Sequence, residues 1–231
     1  MSRATVEKEL DTALARKAVR IRRTLDRLYP DVKPPRPHPR PYQLLVSVVL
    51  SAQCTDKRVA AVRPALFARA ATPEAMVELS ISEIEKIIRP LGLSERKSRA
   101  ISMLSKLLLE RHGGQVPRSY PELQALPGVG RKSAGIMMSE GFGLDAFPVD
   151  THIHRLAARW GLSSGRNARQ TERDLMRIYP SSAWNRLHLQ IIYFGREYCP
   201  ARGHDSASCP ICSWAGDGRP LASYAPWMPP P

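Results

Sequence analysis

The stretch Leu126-Pro127-Gly128-Val129-Gly130-Arg131-Lys132 decides the fold, because it joins two predicted helices through a tight glycine turn. Gly128 and Gly130 allow backbone conformations that other residues resist. Leu126 and Val129 are apolar and are predicted to anchor the turn in the core. The amides from Gly128 to Arg131 then point outward, where a phosphate can accept their hydrogen bonds. The stretch therefore predicts a helix-hairpin-helix over about residues 120–141.

Lys132 and Asp150 form a candidate catalytic pair. Lys132 lies in the first turn of the second helix beside Arg131, where the helix dipole and a like charge both disfavour protonation. A neutral lysine is a nucleophile, whereas most surface lysines only bind phosphate as point charges. Asp150 follows eighteen residues later and has the position of a helix N-cap, which alone would explain it. A carboxylate near Lys132 would also assist proton transfer and stabilise positive charge on a sugar.

The charge of the whole chain points to a polyanionic partner. Its 231 residues include 35 Lys and Arg against 21 Asp and Glu, a formal net charge of +14. Such an excess favours nucleic acid over a merely solvated surface. No apolar run approaches the roughly twenty residues that cross a bilayer, and residues 1–25 lack a signal-peptide core. We therefore expect a cytoplasmic protein with no membrane partner.

Helical periodicity runs through most of the chain, and no segment alternates as strands do, so we predict an all-α fold. Ser82 and Glu85 have capping-box spacing and predict a helix start there. Six prolines between Pro30 and Pro41 form an extended connector. The expected domains are residues 1–41, a basic helix with this connector that packs with the C-terminal lobe, then 42–148, 149–213, and an irregular proline-rich tail at 214–231.

Five ordered motifs make the chain similar to the endonuclease III branch of the helix-hairpin-helix DNA glycosylase superfamily. They are residues 49–56 (VLSAQCTD), 91–93 (LGL), 126–132, 149–152 (VDTH) and 194–196 (FGR). The resemblance runs in register from Tyr42 to Cys212. It implies a two-lobed fold, with a six-helix barrel lobe, an iron-sulfur cluster lobe and DNA in the cleft between them.

The resemblance also implies roles for single residues. Lys132 matches the catalytic lysine and Asp150 the catalytic aspartate of a bifunctional glycosylase and abasic-site lyase that removes oxidised pyrimidines. The target nucleotide is flipped out, Lys132 attacks the sugar C1′, and the Schiff base undergoes β-elimination. Gln53 would fill the space left by the flipped nucleotide, Leu93 would be an apolar wedge, and His152 would contact DNA.

The expected partner is double-stranded DNA with damaged bases or abasic sites, bound by a monomer in the cytoplasm at the bacterial nucleoid. Two other functions stay open. One is a non-catalytic structural DNA-binding protein, against which the joint presence of Lys132 and Asp150 counts. The other is an enzyme that acts mainly as an abasic-site lyase.

The cysteines depart from the family pattern Cys-x6-Cys-x2-Cys-x5-Cys, because this chain has Cys199-x9-Cys209-x2-Cys212 and no later cysteine. A [4Fe-4S] cluster normally takes four thiolates, so we predict a cluster with one non-cysteine ligand. Asp217 is the first candidate for that ligand and His204 the second. Zinc is the alternative, since Cys199, His204, Cys209 and Cys212 also have the spacing of a three-cysteine, one-histidine zinc site.

Overall fold

The computed structural model describes residues 3–216, with side chains from Thr12 onward. Within that range the chain forms α-helices and no strand, which confirms the all-α prediction. The helices are α1 (Arg3–Leu28), α2 (Pro41–Leu50), α3 (Asp56–Arg69), α4 (Pro73–Val77), α5 (Ile81–Ile88), α6 (Ser94–His112), α7 (Tyr120–Gln124), α8 (Arg131–Ile136), α9 (Thr151–Arg159), α10 (Ala168–Ile178), α11 (Ser181–Glu197) and α12 (Cys212–Ala215). None of these helices is long and apolar enough to cross a membrane.

The chain divides into two compact units. The central unit is Pro35–Leu144 and contains α2 to α8. The split unit combines the residues up to Pro34 with those from Asp145 onward, and its described helices are α1 and α9 to α12. The division falls at 34/35 and 144/145, and the domain boundaries expected at 41/42 and 148/149 stay a prediction.

The central unit is built around α2. Eight of the ten residues of this helix are buried, as expected for a helix that is apolar on nearly every side. Each surrounding helix contributes one apolar face, and Ile84 and Ile88 of α5, four residues apart, are both fully buried. The other fully buried side chains of this core include Leu45, Val46, Leu50, Leu66, Met76, Ile101, Leu104, Leu108 and Leu123.

The start of α5 differs from the prediction. The capping box consists of Ser80 and Glu83, where the Ser80 amide donates to Glu83 Oε2 at 2.9 Å and the Glu83 amide donates to Ser80 Oγ at 3.2 Å. The expected pair of Ser82 and Glu85 is therefore wrong by two residues. The Ser-x-x-Glu spacing occurs twice here, and Glu85 instead accepts a hydrogen bond from Ser94 Oγ at 3.2 Å.

The split unit packs α1 against the C-terminal helices. Ile21 and Leu25 of α1 are fully buried in the same core as Trp160 and Phe194, whose rings meet edge to face with centroids 5.6 Å apart. Lys17 Nζ donates to the Trp160 carbonyl at 3.1 Å and to the Ala215 carbonyl at 3.3 Å. These carbonyls lie at the ends of α9 and α12, where backbone acceptors lack helical partners. Lys17 thus ties α1 to two other helices.

Candidate active site and metal centre

The hairpin between α7 and α8 has the anchored turn that the sequence predicts. Leu126 and Val129 are buried, and the Val129 amide donates to the Leu126 carbonyl at 3.1 Å. Gly128 has φ +80, and a Cβ on it would lie 3.0 Å from Cγ1 of Val49. Gly128 is therefore required both by the left-handed backbone and by the close approach of α2.

Gly130 does not need the conformational freedom of glycine, and this expectation is wrong. It is the N-cap of α8 with φ −87 and ψ −179, an extended backbone that any residue adopts. No atom lies within 4 Å of a Cβ built on it. The absence of a side chain at Gly130 leaves the surface at the start of α8 uncovered, and the packing of the fold does not require it.

Lys132 is exposed in the first turn of α8. The guanidinium carbon of the neighbouring Arg131 lies over the Tyr120 ring, 3.7 Å from its centroid. Burial raises the pKa of the Glu140 carboxyl, the charge of Asp56 raises it further, and the charge of Lys132 lowers it. Glu140 is thus an acidic neighbour of Lys132 within the central unit, and Asp56 is a neighbour of Glu140.

The sequence alone does not identify Glu140 or Asp56 as members of this neighbourhood. Glu140 lies eight residues after Lys132, about two helical turns, and this spacing was an available signal for a shared helix face. The intervening backbone changes to a π-helical turn at Met137–Gly141, a local feature that is often found at functional sites.

Asp150 is the N-cap of α9 in the split unit. Its Oδ1 accepts the Ile153 amide at 2.8 Å, which fixes the carboxylate on the helix. Among the residues that the structure describes, no hydrogen bond reaches Oδ2 of Asp150. The cap therefore holds the carboxylate in place and leaves one oxygen available.

Gln53 and Leu93 stand out by their backbone in the central unit. Gln53 follows the end of α2 with φ 52, and Leu93 is the N-cap of α6 with φ 50. Both side chains are exposed, and that of Leu93 is 51% exposed despite being apolar. In the sequence, the place of Leu93 just after Gly92 at a predicted helix start favours an exposed side chain, and the structure confirms this exposure.

His152 lies on α9 and is half-buried. Its Nδ1 lies 3.2 Å from Arg155 Nη2, and a Cβ on Gly195 would come within 3.0 Å of the same ring nitrogen. Burial lowers the pKa of His152, whereas the Asp150 carboxylate raises it. The motifs that contain His152 and Gly195 therefore pack against each other. A side chain at position 195 would collide with the His152 imidazole, and glycine avoids this collision.

The loop after α11 and the start of α12 form a candidate metal centre. The donor atoms of Cys199, His204, Cys209 and Cys212 all lie within 4.8 Å of one another. The Cys199 sulfur is 3.7 Å from the Cys212 sulfur and 3.7 Å from His204 Nε2. His204, the second choice from the sequence, belongs to this group, whereas Asp217 lies outside the described residues.

Arg159 of α9 contacts the candidate metal centre, and the sequence does not predict this contact. Its Nη1 donates to the Cys199 sulfur at 2.9 Å and to the Pro200 carbonyl at 2.9 Å, and the residue is 6% exposed. Arg155, one turn earlier, donates to the Cys199 carbonyl at 3.0 Å. Forty residues separate Arg159 from Cys199, so no local pattern identified the pair.

The donor set does not fit a cluster held by four thiolates. Each iron of a [4Fe-4S] cluster normally takes its own cysteine. The described residues of the split unit bring together three thiols and one imidazole, and Cys54 belongs to the central unit. The loop can hold a metal through three sulfurs and one nitrogen.

A family model and individual relatives of known function indicate the same protein family for this chain. A model of the HhH-GPD superfamily of base excision DNA repair proteins matches residues 46–181. Endonuclease III of Bacillus subtilis (strain 168) is 39% identical over 183 residues, which cover 79% of this chain and 84% of that protein. Endonuclease III of Escherichia coli (strain K12) is 38% identical over 182 residues, with coverage of 76% and 86%.

Solved structures of known proteins indicate the same family. A non-covalent endonuclease III–DNA complex matches with a TM-score of 0.80 at 36% identity, over 87% of this chain and 94% of that chain. A trapped endonuclease III–DNA covalent intermediate matches with a TM-score of 0.76 at 39% identity, over 83% and 92%. The family model covers more than half of the sequence, and the chain belongs to the HhH-GPD superfamily and, within it, to the endonuclease III family of DNA glycosylases and abasic-site lyases.

Proposed function

We propose that this enzyme removes oxidised pyrimidines from DNA as a bifunctional glycosylase and abasic-site lyase, with Lys132 as its nucleophile. The unprotonated Nζ of Lys132 attacks C1′ of the flipped-out nucleotide, and the glycosidic bond breaks as the base leaves with its electron pair and takes up a proton. Ring opening then gives a Schiff base between Nζ and C1′. Loss of a C2′ proton expels the 3′ oxygen and cuts the strand 3′ to the lesion.

The observation that carries this proposal is the position of Lys132. It is an exposed lysine in the first turn of the helix that follows an anchored glycine hairpin. A phosphate held by the hairpin amides would bring a sugar into the reach of Nζ. Glu140 interacts electrostatically with Lys132 and supplies a carboxyl group near the amine, and Asp56 in turn acts on Glu140.

Asp150 fits the second chemical role. Its carboxylate is fixed through one oxygen by the Ile153 amide, and the other oxygen is available to interact with a sugar that gains positive charge as its base departs. The same oxygen would hold or pass on a proton during the elimination. The N-cap geometry and the catalytic role are compatible because they use different oxygens.

The proposed partner is double-stranded DNA that contains damaged bases or abasic sites, bound by a monomer in the cytoplasm at the bacterial nucleoid. Two similar structures are complexes of endonuclease III with DNA. The exposed apolar side chain of Leu93 could insert between base pairs as a wedge. The exposed polar side chain of Gln53 could occupy the space that the flipped-out nucleotide leaves in the base stack. Gly128, Val129, Gly130, Arg131 and His152 are the further proposed DNA contacts.

The test is borohydride trapping with Lys132→Ala on duplexes that carry either thymine glycol or an abasic site. Reduction fixes a Schiff base covalently, so the variant should lose the trapped complex on both duplexes while it still binds them. Lys106→Ala is the matched control, because Lys106 is 65% exposed in an ion pair on α6 of the same unit. Trapping that persists in Lys132→Ala would falsify this nucleophile. Wild-type trapping on the abasic duplex alone would favour an enzyme that acts mainly as a lyase.

The last part of the proposal concerns the metal cofactor. The resemblance predicts a [4Fe-4S] cluster with one non-cysteine ligand, and His204 is the described residue that would supply it. A single zinc ion on the same four donors is the alternative. A cluster and a single ion place their ligands at different separations, and the distances here favour the single ion.

A further inference from the structure

We propose that Cys199, His204, Cys209 and Cys212 bind one zinc ion in place of an iron-sulfur cluster. The distances are the first argument. A tetrahedral zinc with Zn–S bonds of about 2.3 Å and a Zn–N bond of about 2.0 Å holds its sulfurs about 3.8 Å apart and its nitrogen about 3.5 Å from each sulfur. The Cys199 sulfur lies 3.7 Å from the Cys212 sulfur and 3.7 Å from His204 Nε2.

A cubane [4Fe-4S] cluster would need its ligand atoms to lie farther apart than these four donor atoms do. Each of its ligands binds a different iron, so the ligand atoms are farther apart than on one shared ion. All four donors lie within 4.8 Å of one another, and the three cysteines are 0%, 3% and 8% exposed. The space enclosed by these donors suits an ion and not four irons with their bridging sulfides.

The ligand inventory gives the second argument. The chain has four cysteines, and the fourth, Cys54, lies in the central unit. No thiolate is left in the split unit to complete a four-cysteine set. His204 stands midway in the nine residues between Cys199 and Cys209, and its ring nitrogen already reaches the three sulfurs. Three cysteines and one histidine are a common ligand set of structural zinc.

The third argument is charge. Three thiolates and a neutral imidazole around Zn²⁺ carry a net charge of −1, which a buried site must balance. Arg159 is 6% exposed and donates to the Cys199 sulfur at 2.9 Å, and no carboxylate pairs with it in the described part of the chain. The Cys212 amide donates to the Cys209 sulfur at 3.4 Å. Such hydrogen bonds support thiolates on a metal and set their orientation.

A zinc ion here would be structural. It would link the end of α11, through Cys199, to the start of α12, through Cys212, and α12 is in turn tied to α1 by Lys17. The enzyme would then hold no redox-active iron in this loop. Zinc has no redox chemistry of its own, so oxidants would act on the thiolates and not on the metal.

The test is metal analysis of the full-length protein, expressed with both iron and zinc in the medium and purified without oxygen. We expect about one zinc per chain, no acid-labile sulfide and no visible absorption of an iron-sulfur cluster. Cobalt loaded in place of zinc should give the intense d–d bands of a tetrahedral site. Stoichiometric iron and sulfide would overturn the proposal.

Ligand variants separate this site from adventitious zinc. His204→Ala should weaken zinc retention against a chelator by at least tenfold, and His204→Cys should keep the zinc because a thiolate also ligates it. His112→Ala, in the central unit, is the matched control and should retain zinc like the wild type. Zinc retention that is unchanged in His204→Ala would contradict the assignment. These readouts do not depend on Lys132 or on glycosylase activity.

Discussion

Gln53 and Leu93 share a left-handed backbone that no other non-glycine residue in the described range adopts, with φ 52 and 50. This conformation costs a residue with a side chain roughly 1–2 kcal/mol. Strain of this kind persists where the surrounding structure imposes it, and it clusters at functional sites. The resemblance assigns Gln53 and Leu93 to the space around a flipped nucleotide. The same two residues carry this backbone strain.

Leu93→Ala should lower single-turnover base release and lesion binding, because the apolar side chain that opens the stack is lost. The thermal unfolding of the variant should stay close to that of the wild type, since Leu93 is 51% exposed. Met103→Ala is the matched control, because Met103 lies in the same unit and is also 51% exposed. Equal losses in both variants would contradict the wedge role.

Leu93→Gly tests the strain directly. Glycine adopts φ 50 without the steric cost, so the free energy of unfolding should rise by about 1 kcal/mol while activity falls as in the alanine variant. Urea unfolding of the two variants, followed by circular dichroism, measures the difference. If Leu93→Gly is less stable than Leu93→Ala, the turn holds no strain at this residue.

Gly128→Ala and Gly130→Ala should affect different properties of the hairpin: the first should lower stability and the second should lower DNA affinity. At Gly128 the added Cβ meets a left-handed backbone and Cγ1 of Val49 at 3.0 Å, so we expect a loss of about 2 kcal/mol in stability. At Gly130 nothing lies within 4 Å of the Cβ, so stability should change little while DNA affinity falls. Urea unfolding and fluorescence anisotropy with a lesion duplex measure the two effects. Equal destabilisation by both substitutions would refute the distinction.

Lys17→Met should destabilise the enzyme by about 1–2 kcal/mol, because it leaves the carbonyls of Trp160 and Ala215 without their charged donor. Methionine keeps much of the side-chain volume, so the packing of α1 is largely preserved. Arg16→Met is the matched control on the exposed side of α1 and should change stability by less than about 0.5 kcal/mol. A Lys17→Met protein as stable as the control would mean that these bonds contribute nothing net.

Local signals in the sequence predicted much of the fold and of the site. The buried Leu126 and Val129 anchors, the Asp150 cap and the exposed Leu93 all depend on residues within a few positions of one another. Short-range patterns of this kind express the helix-end chemistry that acts within one turn. The α5 start shows where they fail, because two overlapping Ser-x-x-Glu pairs fit and only packing selects Ser80 with Glu83.

The rest required the three-dimensional structure. The need for glycine at Gly128 and the absence of that need at Gly130 follow from φ and from the distance to Val49, which no spacing encodes. The contact of Arg159 with Cys199 joins residues forty positions apart. Spacing favours Asp217 over His204 as the fourth ligand, whereas the structure places the His204 nitrogen near three sulfurs because a loop can bring in a residue from any position.

The stability of the enzyme should fall as the pH is lowered from 7.5 to 5.5, with His154 as one cause. His154 is 6% exposed, its Nδ1 lies 2.9 Å from Thr171 Oγ1, and burial lowers its pKa. Unfolded His154 takes up a proton near pH 6.5, whereas the folded residue takes it up only at a lower pH, so acid favours unfolding. The slope from one such proton is at most about 1.4 kcal/mol per pH unit. His152, whose pKa burial also lowers, adds to it.

His154→Asn isolates the first histidine, because its amide can still bond to Thr171 but does not titrate in this range. The difference in unfolding free energy between wild type and variant, measured by urea at each pH, should shift in favour of the variant as the pH falls. The variant keeps all four metal donors, so metal loss in acid affects both proteins and cancels in the difference. A difference that does not change with pH would mean that His154 takes up its proton equally in the folded and unfolded states.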